Sequence, residues 1–239
     1  MVGVDPLDEE WEERWTAWLF QVIAGLCVAQ TIFSFTHNDL HSSNIVWSET
    51  TEKFLYYKSK EKVFKVPTYG KIFKIIDFGR SIFSINNHLF VSDDFRDGND
   101  AATQYTFPEL IDDKDREKVY PNPSFDLARL AISIFESIFP ETPDEKVNGS
   151  VLSKEPLRIV KETKSDLYNL LWTWLIDIEG NNILWDSADD ERFPDFELYI
   201  HIASKCKNCI PKEQIYKKPF KKFFVNSVPK NTQVYSLFC

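Results

Sequence analysis

The chain has 239 residues, 43% hydrophobic and 15% aromatic, with 37 acidic against 28 basic side chains and a net charge of −9 at pH 7. The apolar fraction fills a sizeable core, and the negative balance excludes sequence-independent nucleic-acid binding, which rests on basic surface. Seven glycines occur, no two closer than nine residues, so the chain has no G-x-G-x-x-G turn and no Walker cradle for phosphates.

The first segment is acidic (Asp5, Asp8, Glu9, Glu10, Glu12, Glu13), the reverse of a signal-peptide n-region. The pattern predicts a helix over residues 8–34, with Asp8 as cap and the acids favoured by the helix dipole in the first turns. Trp15 to Phe35 is 21 residues without a charge, long enough to cross a bilayer. Gln21, Gln30 and three hydroxyls interrupt it, and no Lys/Arg cluster flanks it, so it reads as a core helix rather than a membrane span. Trp11, Trp15 and Trp18 fall at helical spacing and read as core.

A loop over 36–44 and a short strand, Ile45 to Trp47, come next. The aromatic-rich runs within Lys53 to Val66 predict a β-hairpin, and Lys71 to Ile76 a further strand. Residues 86–122 are polar and lack periodicity, which predicts an ordered loop with short elements. Asp93, Asp94, Asp97 and Asp100 in it resemble a calcium loop only loosely, since Gly98 is misplaced and the twelfth-position Glu is missing. Leu127, Leu130, Ala131, Ile134, Phe135 and Ile138 recur at three- and four-residue steps and predict a strong helix over Ser124 to Phe139. Further helices are expected at 163–178 and 196–204.

The lysines between Lys212 and Lys222 read as a solvated face or tail. Cys27, Cys206, Cys209 and Cys239 make no disulfide framework at this length. Cys206 and Cys209 have the spacing of half a zinc site, nominally completed by His201 and Cys239. No second compact ligand pair exists, so they read as reduced thiols. Asn148-Gly-Ser150 fits the glycosylation pattern, which matters only in a secreted chain.

Two short strings carry chemistry: His37-Asn-Asp39-Leu-His41-Ser-Ser-Asn44 in the loop, and Asp77-Phe78-Gly79 after the strand. Together they resemble the catalytic loop and the D-F-G of the protein-kinase fold. His37, Asp39 and Asn44 alone would recur by chance in roughly one chain in thirty; a D-F-G a few dozen residues on lowers that to about one in several thousand. The order of elements also matches that fold's C-terminal lobe, with Ser124-Phe-Asp126-Leu resembling the start of its central helix. Phe107-Pro-Glu109 is a weaker echo of the A-P-E that ends the activation segment. Thr36 to Ile45, Tyr56-Tyr57-Lys58, Asp77 to Arg80 and Asn122 to Leu127 further resemble kinase-like proteins of large double-stranded DNA viruses of algae and protists.

The resemblance implies a mainly α fold with small β-hairpins, a protein-kinase-like C-terminal lobe over residues 1–239. In chain order it comprises a core helix (8–34), the catalytic loop (36–44), a strand with inserted hairpin (45–76), an activation-like segment (77–109), a central helix (123–139) and C-terminal helices and tail (140–239). It implies an ATP- and Mg²⁺-dependent phosphotransferase, a protein Ser/Thr kinase, in which Asp39 is the catalytic base and Asn44 and Asp77 hold Mg²⁺ and through it the nucleotide. His37, Gly79 and Asp126 are then structural supports. The partner is a protein or small-molecule hydroxyl acceptor, with neither nucleic acid nor membrane involved, and the setting is cytoplasmic (a host cytoplasm or virion if viral).

The departures keep other readings open. Asn38 stands where many protein kinases carry the Arg that reads a phosphorylated activation loop. His41 replaces the usual Lys, which looks more like small-molecule kinases of the aminoglycoside and choline type. Only 36 residues precede His37 and no lysine occurs before Lys53, so these residues are expected to be either the C-terminal piece of a longer kinase, with an N-terminal lobe as a further partner, or a relative without that lobe, and the isolated chain is expected to transfer phosphate weakly or not at all. A partner-binding, pseudokinase-like scaffold is the alternative. A metal-dependent hydrolase built on His37, Asp39 and His41 is a further one, though no additional His or carboxylate cluster supports it.

Overall fold

The uncharged run folds as α1 (Glu9–Phe33) in the computed structural model, which describes residues 9–107, 118–138, 146–147, 150–151, 165–185 and 191–238. Ala17, Phe20, Ile23 and Leu26 recur at three-residue steps and are fully buried, as expected for a helix sunk in a core. By length and composition α1 could cross a membrane, but 56% of its most apolar window is buried inside the protein. Its two glutamines serve as ties. Gln21 Nε2 donates to Lys71 O (3.2 Å) while Gln21 Oε1 accepts from Phe73 N (3.0 Å), and Gln30 Nε2 donates to Pro123 O (2.9 Å). Trp15 and Trp18 are half-buried, and together with Trp11 they form a row with ring centroids 5.3 and 5.9 Å apart, the first pair tilted and the second edge-on.

A loop leads through a 3₁₀ turn (Ser42–Asn44) into β1 (Ile45–Glu49), and a hairpin of β2 (Phe54–Ser59) and β3 (Lys62–Pro67) is followed by β4 (Lys71–Ile75). β1 pairs antiparallel with β4, from Ile45 opposite Ile75 to Glu49 opposite Lys71. The β2–β3 hairpin thus projects from a two-stranded stem. β5 (Phe83–Ile85) and β6 (His88–Phe90) form a second hairpin. Asn86 and Asn87 turn it with φ of 51° and 65°, positions that asparagine tolerates in a primed turn, and Phe83 stacks on Phe90 at 5.0 Å. This hairpin and a 3₁₀ turn at Asp93–Phe95 are short elements of the kind expected within residues 86–122. Asp93 and Asp94 face Arg96 (2.6 Å) and Arg80 (3.2 Å).

The helical half comprises α2 (Phe125–Ile138), α3 (Asp166–Trp174), α4 (Glu197–Lys205) and the single turn α5 (Pro211–Gln214). Ser165 caps α3, its Oγ accepting from Tyr168 N at 2.9 Å. A two-residue pair, β7 (Lys146–Val147) with β8 (Ser150–Val151), lies between α2 and α3. The lysine-rich run is a solvated face of a packed segment, its lysines exposed. Residues Lys218–Phe223 form a 3₁₀ segment whose Pro219, Phe220 and Phe223 are buried while the lysines face out. The chain continues into β9 (Phe224–Val225) against β3 and ends in β10 (Val234–Ser236), parallel to β2, completing a sheet in the order β10-β2-β3-β9. Phe20 of α1 lies under that sheet and the 3₁₀ segment, its ring centroid 4.9–5.8 Å from those of Tyr57, Phe64, Phe220 and Phe223. Asn148, and Phe107-Pro-Glu109 beyond its Phe107, lie outside the described residues.

Candidate functional site

α1 delivers the chain into the 36–44 loop beside the strand pair. Thr36 exchanges both backbone hydrogen bonds with Ile82 (2.9 Å each). From below, the first turn of α2 holds the loop. Asp126, fully buried, accepts His37 N on both carboxylate oxygens and Asn38 N on Oδ1, all at 3.0 Å. Burial pushes this carboxyl up from its ordinary range, and the His37 and Asn38 amides pull it back down. Ser133, two turns along α2, accepts Ser42 N at 2.9 Å and fixes the far end of the loop.

His37 acts through both ring nitrogens. Its Nε2 donates to Ile76 O (2.9 Å), and its Nδ1 accepts from Asp39 N (3.3 Å); the second bond fixes the tautomer. The other half of the same grip is Ile76 N donating to Asn44 O at 3.0 Å. The residue before Asp77 is therefore bonded on both sides by the first string, and the two motifs meet through the backbone. Asn38 occupies the left-handed region (φ 65°). Its amide donates to Arg80 O (2.9 Å) and Thr36 O (3.3 Å), and its Oδ1 accepts from Tyr105 OH (2.6 Å). A neutral side chain here ties the loop to the segment after Gly79.

Asp39 is partly exposed. Its Oδ1 accepts from Tyr199 OH at 2.7 Å, and that hydroxyl accepts from Arg129 Nε at 3.0 Å. Burial raises the Tyr199 pKa, Arg129 lowers it and Asp39 raises it again, so at neutral pH the phenol keeps its proton and remains a donor. Asp39 Oδ2 stands 4.0 Å from His41 Nε2. Asn44 is buried. Its Nδ2 donates to Asp39 O (2.9 Å) and meets His41 Nε2 at 3.2 Å, which leaves its amide oxygen as the free-facing acceptor. Asp77 is exposed with φ 62°, its Oδ1 accepting weakly from Gly79 N (3.4 Å). A Cβ on Gly79 would lie 3.4 Å from that oxygen, an ordinary contact. Phe78 is 56% exposed, with its ring beside His37 (5.6 Å) and Phe35 (6.0 Å).

Asn44 and Asp77 offer two hard oxygen donors, one amide and one carboxylate, which suits Mg²⁺. Arg80 supplies no charge for phosphates, because it faces Asp94 and Asp100 (4.0 Å). Sequence reasoning missed Tyr199, Arg129 and Tyr105. They arrive from 67 to 160 residues away along the chain, and no local spacing signals them. The thiols lie elsewhere. Burial pushes Cys206 up to about 12 and Cys209 well above its ordinary range, and the Cys209 thiol donates to Ser124 O (3.1 Å). His201 bonds Asp177 at 3.0 Å and stacks on Phe193, and Cys239 lies outside the described residues. Among the described residues no group of three or more His, Cys, Asp and Glu is arranged to hold a metal ion.

No protein-family model matches the chain. Over 75 residues, 31% of its length, it is 35% identical to the serine/threonine-protein kinase haspin homolog of Arabidopsis thaliana, and the match covers 12% of that protein. The similarity supports a kinase-like relationship at the level of the superfamily.

Proposed function

We propose that the chain carries the catalytic loop and metal-binding strings of an ATP- and Mg²⁺-dependent phosphotransferase with a kinase C-terminal-lobe architecture, acting on a protein Ser/Thr hydroxyl. The observation that carries this reading is the double grip on Ile76 by His37 Nε2 and Asn44 O. It ties the metal-ligand candidate Asp77 to the loop that holds Asp39 and Asn44. Bound Mg-ATP supplies the transferable phosphoryl group and the charge that neutralises it. Asp39, held by Tyr199 through Oδ1, orients the acceptor hydroxyl and takes its proton on Oδ2. Asn44 and Asp77 would hold Mg²⁺ through their oxygens. Val46, Ile76 and Phe78 leave apolar surface exposed, and a lobe carrying a Gly-rich loop and lysine, in the same polypeptide or another, would complete the nucleotide cleft there.

The test uses the full-length gene product with ATP, Mg²⁺ and panels of peptide and small-molecule hydroxyl acceptors. Transfer to Ser/Thr peptides is expected, reduced at least about a hundredfold by Asp39→Asn. Transfer confined to small molecules would move the acceptor class to aminoglycoside- or choline-like substrates. No transfer together with no Mg-ATP binding would reject the enzyme in favour of a scaffold.

A further inference from the structure

Asp126, Arg129 and Ser133 follow one another at three- and four-residue steps along α2 and so share one face of the helix. Asp126 and Ser133 hold the 36–44 loop by its backbone, at His37, Asn38 and Ser42. Arg129 reaches the same loop at a side chain, through Tyr199. Its Nε donates to the phenol oxygen (3.0 Å), and the phenol donates to Asp39 Oδ1 (2.7 Å). The ring between them is clamped. Phe196 stacks on it at 5.0 Å and 10°, Phe125 lies at 5.9 Å, and the guanidinium carbon of Arg129 sits 5.4 Å from its centroid. Arg129 itself is half-buried, and its Nη1 is buried without a hydrogen-bond partner. None of the ion pairs among the described residues involves it. An unpaired buried donor on a cation costs stability, and an apolar side chain of similar length would fill the same space without that cost.

We propose that Arg129 is a positioning residue for Asp39, acting through Tyr199. A phenol has one proton to donate. With Arg129 Nε on a lone pair of the oxygen, that proton turns away from the guanidinium and onto Asp39 Oδ1, and the positive charge behind it strengthens the bond to the carboxylate. The relay holds the carboxylate from the same helix that holds the loop, so one element positions both the base and its backbone. The half-buried charge is kept for this effect, at a cost in stability. The inference rests on the phosphotransfer reading, in which Asp39 is the base.

The test is kinetic, on the full-length gene product with Mg-ATP and Ser/Thr peptides, with urea unfolding alongside. Arg129→Met is expected to lower kcat about fivefold, with KM for ATP within about twofold of the parent's. Its urea midpoint should be no lower than the parent's, an outcome that a merely structural arginine would not give. In a Tyr199→Phe background Arg129→Met should cost no further activity, because the relay is already cut. Arg129→Lys, which keeps the charge and a donor, should recover part of the loss, and it carries the test if Arg129→Met fails to fold. Unchanged kcat in Arg129→Met, beside a transfer that Asp39→Asn abolishes, would overturn the relay and leave the phosphotransfer reading standing. Losses that multiply in the double variant would overturn it too, since the two residues would then act independently. So would a fall in kcat matched by a lower urea midpoint, which would make Arg129 a structural support. A gene product that transfers no phosphate even as the parent would remove the phosphotransfer reading and the relay with it.

Discussion

Tyr199 reaches Asp39 from α4, and in the proposed reaction the bond would decide which carboxylate oxygen serves as base. With Oδ1 committed to the phenol at 2.7 Å, the proposed proton transfer has Oδ2 as its acceptor, and rotation of the carboxylate costs the hydrogen bond. A bond to a charged group contributes about 1.5–3 kcal/mol. Tyr199→Phe is therefore expected to lower kcat of the full-length enzyme at least about tenfold with KM for ATP little changed. An equal fall in ATP affinity would mean that the phenol supports the nucleotide site as a whole rather than the base. Asp77 separates chemistry from strain in a different way. Its φ of 62° suits Gly, Asn and Asp, whereas a residue with an ordinary Cβ pays about 1–2 kcal/mol there. In urea unfolding, Asp77→Gly and Asp77→Asn are expected to match or exceed the parent in stability and Asp77→Ala to fall about 1 kcal/mol below it, while all three lose Mg²⁺-dependent transfer. Asp39, Asn44 and Asp77 could be picked out in the sequence because they fall within two short strings that resemble kinase motifs. Tyr199 could not, because its approach is set by the packing of α4 on α2.

At the level of elements, the loop is shaped by the helix beneath it. Asp126 lies in the first turn of α2, yet it spends both carboxylate oxygens on the amides of His37 and Asn38 instead of on its own helix. The arrangement makes α2 the platform that sets the height of the loop, and Ser133 fixes a second point two turns on. Asp126→Asn replaces one acceptor oxygen with an N–H₂ group facing amide donors in a fully buried site. The expected loss is about 3 kcal/mol, read as a lower midpoint in chemical denaturation at unchanged m-value. A change below about 0.5 kcal/mol would show that the loop holds its shape without α2. The helices were legible because their apolar residues recur at helical steps over two turns or more, as in Leu127, Leu130, Ala131 and Ile134. Two details within otherwise expected segments were not legible. The β5–β6 hairpin is three residues a side and lacks an Asn-Gly turn, so its pairing depends on Phe83 stacking on Phe90. The Lys218–Phe223 segment carries charge at most positions that face out, and its two buried phenylalanines are read as core only once Phe20 is known to lie beneath them.

The whole molecule is closed by its last residues. β9 and β10 come from the C-terminal segment and flank the β2–β3 hairpin on both sides, while Phe220 and Phe223 press on Phe20 in the middle of α1. The helix that delivers the 36–44 loop is therefore anchored by residues some 200 positions later, and Lys218 adds an ion pair to Asp166 at the start of α3 (2.8 Å). Contacts of such long sequence separation form late in folding and are stabilised by burial rather than local propensity. Phe220 is fully buried, and truncating a buried phenylalanine to alanine costs about 3–5 kcal/mol, a large share of the ~5–15 kcal/mol that holds a typical domain together. Phe220→Ala is thus expected to shift the urea midpoint strongly downward. Lys221→Gln and Lys222→Gln, on the exposed face of the same segment, should stay within about 0.5 kcal/mol of the parent. If Phe220→Ala proved as mild as the lysine variants, the C-terminal segment would be a cover over a core that stands without it, and α1 would draw its anchorage from its other contacts, β4 and the Gln21 and Gln30 ties among them.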